Sequence, residues 1–406
     1  MLSKLLTIAY RDLIRNRRRS VFTLIAVAIG LALIITMNGL IEGALEGAMR
    51  NNIRLKTGHA QVRAESYPDG KLSLKWQDLI DNADELSAQV NGMSEVKAAA
   101  PVLWATGILY TIDETVGLQV YGIETTSPIY DPIREAMVTG DFITDDDRSG
   151  ILIGKRLAEQ LGVGVEQKVS LSVGTADGPP DEGIFTIRGI FSTGNLFYDE
   201  HTIFLPLSKA QAFTHTSGRA SSIMIMLHQQ DDADKVAATL KSPGLATFTW
   251  EDLNQLLLTT IQQGMAFYVI MYAIVIMVVA VVIVNTLLMS VFERVREMGI
   301  LAALGMKGRQ IMTMVLMESV ILGLAGVVIG IILGSAYVVY LSKTGIYIGE
   351  VSASVDVGYG TVMYARWVLA NVLSLSGWTF AIILLGSLYP AWFAARLAPV
   401  EALHNL

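Results

Sequence analysis

Four stretches of this chain, residues 21–41, 265–292, 319–342 and 367–395, carry no charged side chain. A helix needs roughly 20 apolar residues to cross a bilayer core, and longer runs tilt or extend into the interface. Buried helices of a soluble protein seldom run so far without a polar face. The pattern predicts transmembrane helices at 21–43, 263–292, 311–342 and 367–395. The first run leads into Asn38 and Glu42 with no small-residue cleavage site, so it reads as an uncleaved span. A chain that is 52% hydrophobic suits this reading.

Charge gives the orientation. Residues 1–41 hold six basic residues (Lys4, Arg11, Arg15, Arg17, Arg18, Arg19) and one acidic, a net of +5. Residues 293–309 carry a net of +2, whereas residues 42–260 hold 17 basic and 30 acidic residues, a net of −13. Positive charge in short loops stays in the cytoplasm. The expected topology has a basic N-terminal segment (1–20), the 293–310 loop and the C-terminus (396–406) inside. The 44–262 segment and the 343–366 loop lie outside.

The outer segment alternates between strand and helix periodicities. A stalk continues the first span to about residue 55. Strands are expected at 59–65, 96–111, 222–227 and 245–250, with helices at 76–90 and 231–240. Two strand–helix–strand units in this order make a split βαβ, porter-like part. A strand-rich insertion occupies about 112–215, and the Gly/Pro/Asp-rich turn at 174–183 reads as a long exposed hairpin tip. The fold class is therefore an α-helical membrane protein with four transmembrane helices plus a mixed α/β extracytoplasmic domain.

Little in the chain supports chemistry. There are no cysteines, which removes thiol catalysis, disulfides and a lipid-anchoring cysteine. No phosphate-binding loop occurs, because Gly154-Lys155-Arg156 lacks its spacing and hydroxyl. The five histidines, His59, His201, His215, His228 and His404, lack metal-ligand spacing. Asp145, Asp146 and Asp147 lack that of a calcium loop. No catalytic, cofactor-binding or metal residues are expected, nor a nucleic-acid partner.

The segment from Phe292 to Arg309 is short, amphipathic and dense in charge, with Gly299, Gly305 and Gly308. Glu293, Arg294, Arg296 and Glu297 are its charged members, and Met298, Ile300, Leu301 and Leu304 its apolar ones. The residues alone leave two readings, a helix that fills a groove on a partner and a plain interfacial connector. Glu318, near the cytoplasmic end of the third span, is an intramembrane acid and thus a polar-site candidate. So near the interface, pairing with a basic residue of the 293–309 segment is the simpler role. Gly323, Gly326, Gly330 and Gly334 mark a closely packed face of that span, with the subunit interface as a candidate partner.

The motif Arg294-Val-Arg-Glu-Met-Gly-Ile-Leu-Ala-Ala-Leu-Gly305 resembles a signature of FtsX/MacB-type ABC transporter permeases, departing from it at Met298 and Ala302. The ending Tyr389-Pro-Ala-Trp-Phe-Ala-Ala-Arg-Leu-Ala-Pro-Val-Glu-Ala-Leu403 and the opening Ala9-Tyr-Arg-Asp-Leu13 are also similar. Within that family the chain most resembles lipoprotein-releasing (Lol-type, LolC/LolE-like) permeases. The resemblance implies a second permease subunit, identical or not, and a cytoplasmic ABC ATPase that binds ATP and engages the 293–309 coupling segment. It implies a lipoprotein or lipid-like substrate taken from the outer leaflet and handed to a periplasmic carrier, with 174–183 lying where a carrier-binding hook occurs. MacB-like efflux and FtsX-like signalling to a periplasmic partner are the family's alternatives.

Overall fold

A computed structural model describes residues 9, 11–15, 17–349 and 358–396 of the chain. The expectations placed on Lys4, on 397–406 with His404, and on the last seven residues of the C-terminal motif (397–403) fall outside these residues. The chain divides into two compact units. One comprises 1–44, 261–346 and 364–406, and the other 45–260 and 347–363. The described residues of 347–363, expected as part of a short extracytoplasmic loop, thus belong to the second unit. There Asn51 donates to the Gly358 carbonyl (2.9 Å) and the Thr361 amide to that of Gly194 (2.8 Å).

Among the described residues, four helices are long and apolar enough to cross a membrane. They are α1 (Arg17–Asn52), α2 (Gln255–Glu293), α4 (Gly308–Thr344) and α5 (Leu369–Ala395), with the short α3 (Val295–Ala303) between the second and third. Val27, Leu31, Ile35, Val279, Ile283, Val327 and Ile383 form their common core. The glycine face of α4 packs inside the chain rather than waiting for a second subunit. A Cβ on Gly326 would lie 2.6 Å from Val27, one on Gly330 3.0 Å from the Ala28 carbonyl, and one on Gly334 3.0 Å from the Ala32 Cα. Residues without side chains let α1 and α4 approach nearly backbone to backbone, which drives association where lipid offers no hydrophobic gain. In contrast, α2 leaves Met265, Phe267, Val269, Ile270, Ile274, Met277, Val278 and Val281 exposed.

The second unit is built on one ten-stranded sheet. Its strands are β1 (Ala60–Ala64), β2 (Val96–Tyr110), β3 (Thr115–Ile123), β4 (Met137–Gly140) and β5 (Gly150–Gly154). They continue with β6 (Lys168–Val173), β7 (Asp181–Phe191), β8 (Thr202–Pro206), β9 (Ser222–Leu227) and β10 (Leu245–Thr249). The spatial order is β10-β1-β9-β2-β3-β8-β5-β7-β4, with β6 paired to β2 and β7. β1 lies antiparallel between β9 and β10, and β9 antiparallel between β1 and β2. The helix Ala83–Asn91 links β1 to β2, and Ala233–Thr239 links β9 to β10. Val90, Ala233 and Val236 from these helices join Val62, Ile223 and Ile225 in one core. A second, larger core gathers around Phe204, whose ring contacts those of Tyr121, Phe191, Tyr130 and Tyr198 at 5.3–6.4 Å.

Two local expectations are corrected. Residues 76–90 are not one helix but a 3-10 turn (Trp76–Asp78), a two-residue strand (Ile80–Asp81) and then Ala83–Asn91. Asn82 adopts a left-handed φ of 51°, which separates strand from helix. Ile80 and Asp81 instead pair with Ala220 and Arg219. The hairpin tip at 174–183 is shorter than expected because β7 already begins at Asp181, and it does not project freely. The Ala176 amide bonds the Thr214 carbonyl at 2.9 Å, and His215 meets Asp177 at 2.7 Å.

Candidate functional site: the segment between α2 and α4

The segment begins where α2 stops. Arg294 has φ −116° and ψ 13°, leaves the helix, and precedes the nine residues of α3. The end of α3 is set by Gly305, whose φ of 94° strains any residue with a Cβ. The Gly305 amide reaches the Ala302 carbonyl and the Met306 amide reaches that of Leu301, each at 3.0 Å. Those two bonds are the Schellman closure, satisfying carbonyls that a helix end would leave open. Gly308 then starts α4, so close to the end of α5 that a Cβ there would sit 2.7 Å from the Ala395 carbonyl.

The two faces of α3 differ. Met298 and Gly299 are buried, and Met298 packs with Val291, Ile311, Met314, Val315, Ala391 and Ala394 from the three flanking helices. Leu301 is half-buried. Arg296, Ile300 and Leu304 lie on the exposed face, with Leu304 80% exposed. Spacing of four residues places these three in a row along one side of the helix. Burying Met298 fixes α3 to the helix bundle while leaving an apolar strip with a basic edge.

Arg294 is the centre of the site's electrostatics. Its side chain is 5% exposed, and Nη1 donates to Glu318 Oε1 at 2.6 Å. Nη2 donates to Asp12, and Nε to Glu297 Oε2 at 3.1 Å. Glu297 also accepts two bonds from Arg15 Nη2, at 2.8 and 2.9 Å. Nearby, Arg19 donates to Glu293 and to Ser290, both at 2.8 Å. A planar guanidinium with five fixed donors suits such a node, because each carboxylate meets a separate edge. Burial opposes the charge on Arg294, but the carboxylates of Glu318 and Asp12 outweigh it and hold the pKa above its ordinary value. The bonds from Arg15 hold the Glu297 carboxyl below the usual range.

The sequence-derived candidates are therefore divided by the structure. Arg294, Glu297 and Glu318 join one network, Glu293 pairs separately with Arg19, Met298 and Gly299 anchor α3, and Arg296, Ile300 and Leu304 face outward. Gly305 ends the helix. Glu318 pairs with Arg294. Glu297, a charged member of the expected coupling segment, is already engaged within the chain by Arg15 and Arg294. Sequence reasoning missed Asp12 and Arg15 as members of the network, and Arg19 as the partner of Glu293. Asp12 and Arg15 sit 282 residues before their partners, and their positive-inside charge alone accounted for the basic residues. Among the described residues, no group of His, Cys, Asp and Glu could hold a metal ion.

Residues 20–242 match the family model of the MacB-like periplasmic core domain, and 269–399 that of the FtsX-like permease C-terminal region. An uncharacterized ABC transporter permease of Methanocaldococcus jannaschii is 24% identical, over 99% of this chain and 98% of the relative. The lipoprotein-releasing system transmembrane protein LolC of Xylella fastidiosa is 23% identical, over 96% of each chain. The macrolide export ATP-binding/permease protein MacB of Bdellovibrio bacteriovorus is also 23% identical, over 97% of this chain but only 60% of its own length. With both units matched in their chain order, this multi-pass membrane protein belongs to the FtsX/MacB family of ABC transporter permeases.

Proposed function

We propose that the chain is a non-catalytic permease subunit that couples ATP hydrolysis on a separate cytoplasmic ATPase to release of lipoproteins, or similar membrane-embedded cargo, from the outer leaflet of the inner membrane. The observation that carries this is α3, a short helix wedged by Met298 yet presenting Arg296, Ile300 and Leu304 outward. An apolar strip on a rigid helix is what a groove in a partner can hold. Arg294 links that helix to α4 through Glu318 and to the N-terminal segment through Asp12. A push on α3 would thus move two other elements rather than dissipate locally.

Orientation follows from the positive-inside distribution, with both termini and α3 cytoplasmic and the α/β unit outside. A second permease subunit completes the assembly. We read the β10-β1-β9-β2 portion as the split βαβ part, since each linking helix joins parallel strands separated by one strand. Lipoprotein release is favoured over export because the LolC relative matches end to end, whereas the MacB relative is longer.

The test is reconstitution with the cognate ATPase in proteoliposomes. A lipid-modified protein should stimulate ATP hydrolysis and leave the membrane in an ATP-dependent way. Stimulation by macrolides instead, with no lipoprotein release, would favour the export reading.

A further inference from the structure

The α/β unit holds a cavity of about 790 Å³ that the coupling argument does not use. Arg63 of β1 lines it, together with Tyr67, Trp104, Gln119, Thr247 and Phe248. The Arg63 guanidinium stands over three rings, 5.6 Å from Tyr67, 5.0 Å from Trp104 and 5.6 Å from Phe248. Its Nε and Nη2 both donate to one acceptor, Gln61 Oε1, at 3.0 and 2.7 Å. Nη1 takes no hydrogen bond among the described residues, and no carboxylate there lies within 4.0 Å of the group. Of the two acids lining the cavity, Asp252 accepts from the Thr249 amide and hydroxyl at 2.9 Å each. Asp69 is exposed and forms no ion pair with Arg63.

A cation this sheltered ordinarily has a paired acid. Burial pushes the Arg63 pKa below its ordinary value. Aromatic faces compensate part of that cost, but they satisfy none of its N–H groups. Two further polar atoms on the cavity's lining residues are buried without a partner, Trp104 Nε1 and Thr247 Oγ1. Those two atoms have no surface open to the cavity, so the group that asks for a partner there is Arg63, whose N–H groups are incompletely satisfied. The cavity is lined by two cations, Arg63 and Lys71, which selects an anion. The rings, with Leu72 and Leu253, add apolar wall for an attached chain. A volume of this size suits a small molecule rather than a single ion.

We propose that this cavity binds a phosphate or carboxylate headgroup carried on an apolar chain, with Arg63 as the anion's partner and Tyr67, Trp104 and Phe248 against the chain. This assignment stands apart from the coupling role of α3, and it would survive if that role failed.

The experiment is calorimetric titration of the full chain, in a neutral detergent, with hexyl phosphate, hexanol and inorganic phosphate. Hexyl phosphate should bind saturably at one site. Arg63→Gln should weaken it at least tenfold while the unfolding midpoint stays within a few degrees. Should that variant fail to fold, Arg63→Lys keeps the charge but not the fork, and a three- to tenfold loss is expected. Unchanged binding in a folded Arg63 variant would overturn the proposal, as would hexanol binding equally well. Inorganic phosphate binding as tightly as hexyl phosphate would overturn the chain-bearing ligand and leave a free-anion site. Anionic and neutral lipid vesicles then separate the sources. A bilayer headgroup requires competition by phosphatidylglycerol but not by phosphatidylcholine, and absence of such competition points to a soluble amphiphile.

Discussion

Arg294 and Glu318 meet at 2.6 Å with side chains 5% and 3% exposed, tying the start of the α3 segment to the interior of α4. Removing one member of a buried pair leaves an uncompensated charge and costs about 3–5 kcal/mol, more than an exposed pair contributes. Because Arg294 also serves Asp12 and Glu297, Arg294→Met should be worse than Glu318→Gln. The first leaves three acids short of a partner, the second leaves a cation that keeps two. Thermal unfolding in detergent checks the order, and equal midpoints for both variants would show that Arg294 is not the node.

The glycine face of α4 gives a steric prediction. Gly330→Leu must place a Cβ 3.0 Å from the Ala28 carbonyl and from Leu31 before the rest of the side chain is accommodated. Overpacking of this kind costs typically 1–3 kcal/mol. Gly377 of α5 has nothing within 4 Å of its Cβ position, so Gly377→Ala is the neutral control. Similar yields and melting temperatures for the two variants would mean that α1 and α4 separate freely.

Gly305 gives a conformational one. Its φ of 94° costs a side-chain-bearing residue about 1–2 kcal/mol. Gly305→Ala should therefore fray the end of α3, seen as faster amide exchange at Met306. Unchanged exchange there would mean the helix end does not depend on glycine.

The membrane helices and most strands were legible because hydropathy and period-two alternation are local signals. The strand over 222–227 is an example, since every second residue must face one core. Where the reading failed, the deciding contact was distant. Residues 76–81 abandon a helical pattern because Arg219 and Ala220 offer strand pairing. The glycines of α4 announced close packing, but only the fold reveals that α1 fills the groove. The same holds at the candidate site. Its motif stood out in sequence, whereas the bond from Arg15 to Glu297 joins residues 282 apart.

Asp199 carries a pH prediction. Its carboxyl is almost fully buried, and burial pushes its pKa up from 3.8 to about 6, despite bonds from Thr193 and Ser192. A folded-state pKa above the unfolded value favours the protonated fold. That contribution is fully present below about pH 4 and is lost as pH rises through about 6. A shift of about two units corresponds to on the order of 3 kcal/mol. Guanidinium unfolding, followed by emission from Trp76, Trp104 and Trp250, should show stability falling between about pH 4 and 6 for the native chain. Asp199→Asn should flatten that fall. An equal slope in both proteins would assign the pH dependence to other groups.

Glu297 tests coupling most directly. Its pair with Arg15 is half-exposed on both sides (47% and 54%), so breaking it should change stability by only about 0.2–1 kcal/mol. Glu297→Arg is nevertheless expected to uncouple ATP hydrolysis from cargo release, because it breaks one of the two ties between the α3 segment and the N-terminal segment, the other being Arg294 to Asp12, and places a second cation beside Arg294. Restoring the pair in reversed order, Arg15→Glu with Glu297→Arg, should recover part of the release, whereas Arg15→Glu alone should not. Gly299→Trp should uncouple by another route, pushing α3 off the bundle at a buried position. Neither site lies in an apolar span, so insertion should survive. ATPase co-purification and cargo release from proteoliposomes are the two readouts. Normal values of both in Glu297→Arg and Gly299→Trp would reduce α3 to a connector between two membrane helices.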